Sequence, residues 1–333
     1  MKKTIAALLA GTATMVSGQA ALADGHIDEI TVAYFLEWPM PFQYAKVEGM
    51  YEEALGVSIN WVAFDTGVAM SAAMASGDVH LSVSQGLPPF IVATSAGQDL
   101  ELLDVAVSYA DNDNCVVAEA LEIDASNTAD LEGLTVGVPL GTAAHYGFLA
   151  QMNHFGVDVS TMNVVDMAPP DGAAAFAQGE LDMVCGWGGA LRRMLEHGNV
   201  LLTGDEKTEL GILVFDVTSA PASFVAENPE LVEQFLAVTA EANAMWAAGD
   251  NREAMLEVIA QDAGMDVEAT AETIDTFVFP TVEEQLSEAW LGGNVGAFMT
   301  GVAEVFAEAG SIDGTLDDYG ALVNIGPLQA VAE

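Results

Sequence analysis

The sequence predicts a two-lobed α/β protein in which each lobe is a mostly parallel sheet flanked by helices, with a helical segment at the C-terminus. Three observations support this prediction. Short runs of β-branched residues alternate with amphipathic helical stretches, a pattern typical of parallel sheets. A similar succession of helix, turn and strand occurs in both halves of the chain, at residues 64–83 and 170–185. From residue 228 onward the pattern is helical.

Residues 1–23 are predicted to be a secretory signal peptide. Lys2 and Lys3 precede an apolar run over residues 5–10, and Ala21 and Ala23 form a small-residue cleavage site. The alternative is a membrane anchor, but Gly11 interrupts a run far shorter than the roughly 20 residues that a bilayer requires. We therefore expect a mature chain that begins near Asp24 and resides in the periplasm.

The charge balance limits the possible partners. The chain of 333 residues has 50 acidic and 7 basic residues, which gives a formal net charge of −43. This composition excludes nucleic acid as a partner, because phosphate binding requires clustered Lys and Arg. The acidic residues are spread along the chain, which predicts a strongly hydrated surface suited to a salty environment.

The first lobe is predicted from four strands and the helices between them. The strands are expected at residues 30–34, 57–64, 79–83 and 100–108, and the helices at 42–55 and 66–74. Pro88 and Pro89 are suited to the first turn of a further helix. The polar run at residues 111–114 has no apolar period and marks a change of lobe.

The second lobe repeats this pattern. Its strands are expected at residues 135–138, 162–166 and 183–185, with one helix over 143–155 and another capped by Asp171 and ending at Gly179. A strand over residues 212–217 then returns the chain to the first lobe. The predicted division is therefore residues 24–111 and 216–333 for lobe 1 with the C-terminal helices, and residues 112–215 for lobe 2. Ligands bind between such lobes, at the strand ends.

Cys115 and Cys185 are the two cysteines of the chain, and each lies in an apolar, strand-like segment. Disulfides persist in exported proteins, so a bridge between neighbouring strands and a pair of buried thiols are both compatible with the sequence. A metal site is not expected from two cysteines without histidines nearby.

Several segments resemble the taurine- and aliphatic-sulfonate-binding proteins of ABC importers, which have the type II periplasmic binding protein fold. The segments that carry the resemblance are Val32-Ala33-Tyr34, Phe64-Asp65-Thr66-Gly67, Ala75-Ser76-Gly77-Asp78-Val79, Val138-Pro139, Thr142-Ala143-Ala144-His145-Tyr146, Gly179-Glu180-Leu181-Asp182 and Phe215-Asp216-Val217. The resemblance implies a monomeric binding protein that closes around a small zwitterion or anion and docks on an inner-membrane permease driven by a cytoplasmic ATPase.

A sulfonate requires hydrogen-bond donors, and a chain poor in Lys and Arg can supply them from helix N-termini. Two segments have this character, one in each predicted lobe: Ser84-Gln85-Gly86 and Gly141-Thr142-Ala143. Their small residues allow close approach to the backbone, and Ser84 and Thr142 are expected to add hydroxyl donors. The alternative is that both segments are ordinary turns and helix caps.

An ammonium group requires carboxylates, and Asp216 is the first candidate because it interrupts an apolar strand. Glu37 is the second candidate. Asp65 is either an amine contact or a helix cap. The remaining predicted ligand contacts, each of which has a structural alternative, are Trp38, Trp187, His145 and Tyr146.

Arg192 and Arg193 stand out in a chain with so few basic residues. One of them could pair with an anionic ligand, or both could form salt bridges with the acidic surface.

Two further hypotheses compete with a taurine binder. A methylated ammonium compound such as a betaine would bind in an aromatic cage, for which Trp38, Phe42 and Trp187 are candidates. A pyrimidine-precursor enzyme on the same fold would use His145 or Cys185. The sequence lacks a nucleophile elbow, a zinc-protease motif and a phosphate loop, so we expect no enzymatic activity and no cofactor.

Overall fold

Two five-stranded sheets organise the chain in the computed structural model, which describes residues 27–249 and 251–333. The predicted signal peptide lies outside the described residues. In chain order the strands are β1 (Glu29–Phe35), β2 (Ser58–Phe64), β3 (Leu81–Gly86), β4 (Leu100–Ser108), β5 (Asp113–Ala118), β6 (Thr135–Val138), β7 (Asn163–Asp166), β8 (Met183–Trp187), β9 (Gly198–Val200) and β10 (Phe215–Pro221). The prediction of two mostly parallel sheets flanked by helices is confirmed.

Each sheet combines parallel strands with one strand that arrives from the other sheet. The first sheet has the order β2-β1-β3-β10-β4, in which β1 runs parallel to β2 and β3 while β10 is antiparallel to β3 and β4. The second sheet has the order β7-β6-β8-β5-β9, in which β6 runs parallel to β7 and β8 while β5 is antiparallel to β8 and β9. The chain therefore crosses between the sheets twice, and β5 and β10 are the strands that follow the crossings. We name each lobe by its sheet.

The helices of the first part of the chain connect the strands. They are α1 (Phe42–Val47), α2 (Met50–Leu55), α3 (Gly67–Ser76), α4 (Leu87–Ser95), α5 (Ala143–Phe155), α6 (Pro169–Ala177), α7 (Gly188–Leu195), α8 (Gly204–Glu209) and α9 (Ala222–Glu227). The C-terminal helices are α10 (Pro229–Ala248), α11 (Arg252–Ala263), α12 (Val267–Ile274), α13 (Val282–Gln285), α14 (Asn294–Glu308) and α15 (Gly326–Val331). Short 3₁₀ turns lie at Glu119–Leu121, Thr128–Leu131, Val159–Thr161 and Gly320–Leu322.

Helix α14 packs on both lobes, because it contacts α4 of the first lobe and α5 of the second. The buried apolar residues on the two sides of this helix belong to one continuous core cluster. A smaller cluster lies under α6 and α7 and includes Phe176, Leu191 and Met194. The C-terminal segment thus joins the two lobes as well as covering the first.

A disulfide joins Cys115 to Cys185, which resolves the question that the sequence left open. The two residues are direct partners in the antiparallel register of β5 and β8, and both are buried. The bridge therefore lies inside the second sheet and links the strand that enters this lobe to its neighbour.

Several predicted element boundaries are corrected by the structure. The helix expected over residues 42–55 is divided at Gly49, which adopts a left-handed φ of 69° that glycine tolerates without a steric penalty. The strand expected at 212–217 spans Phe215–Pro221 instead. Asp171 is not a helix cap: α6 begins with Pro169 after the N-cap Ala168, and Asp171 lies in the first turn. Proline is favoured at this first position because its missing N–H has no intrahelical acceptor.

Candidate functional site

A cavity of about 270 Å³ lies between the two sheets, and both lobes contribute to its walls. We call it the inner cavity. The first lobe contributes Phe35, Trp38, Gly67, Gly86, Pro89, Tyr109 and Asp216, and the second lobe contributes Asp113, Thr142, Ala143 and Trp187. Of the predicted ligand contacts, the structure therefore places Trp38, Gly86, Thr142, Ala143, Trp187 and Asp216 around one space.

Asp216 lies near the start of β10, where it is buried but well supplied with hydrogen-bond donors. Its Oδ2 atom accepts a hydrogen bond of 2.7 Å from Ser84, and its Oδ1 atom accepts one of 2.6 Å from the hydroxyl of Tyr109. Burial raises the pKa of this carboxyl to about 6, and the hydrogen bonds from Tyr109 and Ser84 act in the opposite direction. At neutral pH the site therefore holds a buried, ionised carboxylate, which favours a cationic group in the cavity.

Asp113, the first residue of β5, is the second carboxylate of the cavity. Its Oδ2 atom is buried and has no hydrogen-bond partner among the residues that the structure describes. Burial raises the pKa of this carboxyl to about 7, the nearby Lys207 lowers it, and Asp216 raises it further. The ammonium of Lys207 donates to the backbone oxygen of Asp113 rather than to the carboxylate. A buried acceptor without a hydrogen bond costs free energy. A ligand that donates a hydrogen bond to this atom would remove that cost.

The N-termini of two helices, one in each lobe, contribute to the wall of the inner cavity. Helix α3 begins at Gly67 and α5 begins at Ala143, and both helices have their first residue in the wall of the inner cavity. The first intrahelical donors are Met70 in α3 and Tyr146 in α5, so the amides before them are the ones that helix geometry leaves without carbonyl partners. Converging helix N-termini favour an anionic group.

The predicted hydroxyl donors are corrected. A hydroxyl has a single proton to donate. Thr142 donates its proton to the carbonyl of Pro139 at 2.6 Å, and Ser84 donates to Asp216. The two side chains therefore support the helix start and the carboxylate and leave no proton for an anion.

The predicted anion site at Ser84-Gln85-Gly86 is also corrected, since the helix that follows it begins Leu87-Pro88-Pro89. Pro88 and Pro89 carry no N–H, so this helix start lacks two of its usual donors. The amide of Gln85 donates to the carbonyl of Gly67, and its oxygen accepts from Ser219, inside the first lobe. The helix in this lobe that offers N–H donors is therefore α3. Its first residue, Gly67, packs closely on Pro89, as shown by the 2.6 Å that would separate a Cβ on Gly67 from the proline ring.

His145 and Tyr146 do not line the inner cavity. The His145 ring stacks on Phe306 of α14, with ring centroids 5.3 Å apart, and its Nδ1 atom accepts a hydrogen bond from Gly141. Burial lowers the pKa of His145 to about 4, so the imidazole is neutral at pH 7. Tyr146 packs edge-on against Phe298 and Phe306. Gly141 adopts a left-handed φ of 75° in the turn before α5.

Glu37 and Asp65 lie in a second, outer cavity of about 850 Å³ that opens beside the first. Glu37 is paired with Arg193 of α7 through two hydrogen bonds of 2.7 and 3.0 Å. Arg192 pairs with Glu272, so both arginines form ion pairs with acidic residues. Asp65 is exposed and is not a helix cap, because the side chain of Thr66 caps α3.

Five residues of the inner wall are not among the contacts that the sequence predicts: Phe35, Gly67, Pro89, Tyr109 and Asp113. Asp113 had a usable signal, because it precedes the apolar strand residues Cys115 and Val116 much as Asp216 precedes Val217. The lack of an apolar period around it instead predicts that Asp113 belongs to the polar run between the lobes. Tyr109 has no sequence signal that separates it from an ordinary core aromatic residue.

A membrane-crossing helix is absent from the part of the chain that the structure describes, where no helix is both long enough and apolar enough.

Comparison with known proteins agrees with this architecture. The chain is 25% identical to the taurine-binding periplasmic protein of Escherichia coli (strain K12) over 298 residues, which cover 88% of this chain and 91% of that protein. Among solved structures, the periplasmic aliphatic sulphonate binding protein SsuA from Escherichia coli matches with a TM-score of 0.70 and 23% identity, over 88% of this chain and 91% of that one. The fold is therefore that of an SsuA-type periplasmic binding protein.

The same fold also includes an enzyme. The desulfurization enzyme DszB matches with a TM-score of 0.60 and 15% identity, over 91% of this chain and 99% of that one. This likeness concerns the fold alone.

The family assignment comes from the sequence itself. The model of the NMT1/THI5 like family matches residues 39–254, which include α3, α5 and both carboxylates of the inner cavity. The chain belongs to the NMT1/THI5-like family.

Proposed function

We propose that this chain is the periplasmic ligand-binding component of an ABC importer and that it captures taurine, or a closely related small sulfonate or sulfinate zwitterion, in the inner cavity. The observation that carries the proposal is that groups suited to a cation and groups suited to an anion line the same cavity. The carboxylates of Asp113 and Asp216 favour a bound cation, and the N-termini of α3 and α5 favour a bound anion. A small zwitterion carries both kinds of charge.

Lobe closure is the proposed mechanism of capture. Asp216 and α3 belong to the first lobe, and Asp113 and α5 belong to the second, so only the closed form places all four groups around one ligand. The ligand then favours closure through its greater affinity for that form. In this proposal a monomer carries the ligand in the periplasm and delivers it to an inner-membrane permease.

The relatives support the proposed class of ligand. One relative is a taurine-binding periplasmic protein, and one structural neighbour is an aliphatic sulphonate binding protein. The inner cavity is small and combines aspartates with the N–H donors of helix N-termini, so it suits a compact ligand with charges of both signs.

The test is isothermal titration of the mature protein with taurine, after unfolding and refolding to remove any bound ligand. We expect one-to-one binding, weakened in Asp113→Asn and to a smaller degree in Asp216→Asn, because an amide cannot match a carboxylate as acceptor for an ammonium. The control is Asp65→Asn, which removes an exposed carboxylate outside the inner cavity. Absence of any heat with taurine, hypotaurine and other small sulfonates would contradict the proposal.

A methylated ammonium compound is the second candidate, because four aromatic rings line the inner cavity: Phe35, Trp38, Tyr109 and Trp187. Aromatic faces attract quaternary ammonium groups. Trp38, however, is buried with its ring against Tyr109 and Phe277 at centroid distances of 4.7 and 4.5 Å, so much of its surface serves the core. Asp216→Asn would weaken a quaternary ligand much less than taurine, since such a ligand has no N–H to donate.

An enzymatic role is not supported by the two side chains that the sequence offered for it. Cys185 is held in the disulfide and His145 packs against α14. Turnover of a bound sulfonate or sulfinate would overturn the assignment as a binding protein.

A further inference from the structure

We propose that Phe35 and Trp187 form an aromatic gate that limits the length and bulk of the ligand. This inference rests on the proposed function and concerns the selectivity of the same site. Phe35 and Trp187 are the two residues that line both the inner and the outer cavity. Phe35 is the last residue of β1 in the first lobe, and Trp187 is the last residue of β8 in the second. Their ring centroids lie 6.0 Å apart, so the two rings meet across the lobes.

The outer cavity is large enough to hold the tail of a longer ligand. Its empty volume of about 850 Å³ compares with about 270 Å³ for the inner cavity. Most of its wall is apolar and is formed by Phe35, Leu36, Phe64, Pro169, Pro170, Trp187, Ala190 and Ala263. The arginine in its wall, Arg193, is already neutralised by Glu37, and Asp65 adds a carboxylate to the same wall. An alkyl or aryl tail therefore fits this space better than a second anionic group.

The gate is fixed in position by close backbone contacts behind it. Gly188 and Gly189 follow Trp187, and a Cβ on Gly188 would lie 2.5 Å from the carbonyl oxygen of Glu37. The amide of Gly189 donates to that same carbonyl at 3.3 Å. The start of α7 thus packs directly on the loop after β1, and the indole and the phenyl ring are held against each other when the lobes are closed.

The consequence is a length limit that a single substitution should remove. With both rings present, the inner cavity encloses a compact ligand and excludes one with a bulky substituent. In Trp187→Ala, the inner and outer cavities merge, and the substituent can enter the outer cavity. Trp187→Phe keeps a ring at this position and should keep most of the discrimination.

The experiment measures dissociation constants for taurine and N-cyclohexyl taurine, which share the ammonium and the sulfonate and differ in bulk, with the wild-type protein and the variants. In the wild type we expect N-cyclohexyl taurine to bind at least about 10-fold more weakly than taurine. In Trp187→Ala the ratio of the two dissociation constants should fall towards one. The matched control is Trp290→Ala, which removes a half-buried indole that packs on Phe215 and lines neither cavity, and it should keep the wild-type ratio.

A second measurement tests the gate without reference to any ligand. Ala143→Cys places a thiol in the inner wall of a protein whose two native cysteines form the disulfide. The rate of labelling by a bulky maleimide, relative to a small one, should rise when Trp187→Ala is added. The gate would be overturned, and the proposed function left intact, if taurine binds but Trp187→Ala changes neither the ratio of dissociation constants nor the ratio of labelling rates. A rise in the labelling ratio without sulfonate binding by the wild type would overturn the proposed function and retain the gate.

Discussion

The two carboxylates of the inner cavity occupy similar positions in the two lobes but differ in how the protein satisfies them. Each lies near the start of the strand that follows a crossing between the sheets, Asp113 in β5 and Asp216 in β10. Both oxygens of Asp216 accept hydrogen bonds, from Ser84 and Tyr109. Asp113 has a buried Oδ2 atom without a partner among the described residues.

This difference indicates which half of the site is complete before a ligand binds. The half in the first lobe is satisfied by its own hydrogen bonds and needs no ligand to offset the burial of its carboxylate. The half in the second lobe retains an unmet acceptor, which costs free energy until a donor arrives. A ligand ammonium should therefore gain more from Asp113 than from Asp216, and the following tests would break or sharpen that asymmetry.

The largest expected effect is on the stability of the second lobe, in which the disulfide links β5, the strand of Asp113, to β8. Replacing both Cys115 and Cys185 by Ala should lower the free energy of unfolding by about 4 kcal/mol, because the bridge closes a loop with a sequence separation of 70 and constrains the unfolded chain. Chemical denaturation with and without reductant measures the effect. A two-step unfolding curve in which the variant shifts both steps equally would show that the bridge does not act on the second lobe alone.

The next largest effect should come from the carboxylates themselves. Asp113→Asn should raise the dissociation constant for taurine about 10- to 100-fold, as expected for the loss of a hydrogen bond to a charged group. Asp216→Asn should also weaken binding, but by a smaller factor, because Ser84 and Tyr109 already bond this side chain. Titration calorimetry measures the dissociation constants of both variants relative to the wild type, and thermal unfolding checks that both variants are folded. A greater loss in Asp216→Asn would reverse the proposed asymmetry.

The pH dependence of binding should follow the two raised pKa values. The pKa is about 7 for Asp113 and about 6 for Asp216, so both carboxyls gain protons between about pH 8 and about pH 5.5 and lose their attraction for an ammonium. We expect taurine affinity to fall about 10-fold over this range. Calorimetry across the range measures it, and Asp113→Asn should flatten the upper part of the profile. An affinity that is constant with pH would show that the carboxylates do not contact the cation.

The sign for stability is opposite to that for binding. Because both pKa values lie above the ordinary value of 3.8, the folded protein without ligand binds protons more tightly than the unfolded chain does. The contribution of these two groups to the free energy of unfolding therefore increases as the pH falls through about 7 and about 6.

The smallest expected effect concerns the ion pair between the lobes. Arg193→Ala should weaken taurine binding by about 3-fold, since the pair with Glu37 favours the closed form but is partly exposed, at 46% and 33% for the two side chains. The matched control is Arg252→Ala, which removes the pair with Asp275 in the C-terminal helices. Equal losses in the two variants would assign the effect to net charge rather than to closure. Added salt should diminish the effect of Arg193→Ala.

Local pattern was sufficient for most of the fold. The strands at Leu100–Ser108 and Thr135–Val138 and the helix at Ala143–Phe155 have the predicted bounds, because each is a periodic segment ended by polar or glycine residues. The break at Gly49 was missed, because a glycine inside a helical pattern is compatible with either a continuous or a divided helix.

The site was less predictable because it depends on contacts between distant segments. Thr142 and Ala143 were expected at the site and lie in the inner wall, whereas the next side chains along α5 turn away from it. His145 and Tyr146 pack on Phe298 and Phe306 of α14, a helix whose position nothing in the sequence of α5 reveals. In the same way, Glu37 was recognised as a carboxylate near the cleft, but its partner Arg193 comes from the other lobe.

The disulfide also has a geometric consequence for the site. Asp113 is the direct partner of Trp187 in the register of β5 and β8, and the bridged pair Cys115 and Cys185 lies two positions further along the same strands. A slip of one residue between two strands would send alternate side chains to the opposite face of the sheet. The disulfide prevents such a slip, so the carboxylate of Asp113 and the indole of Trp187 stay side by side on one face of the sheet.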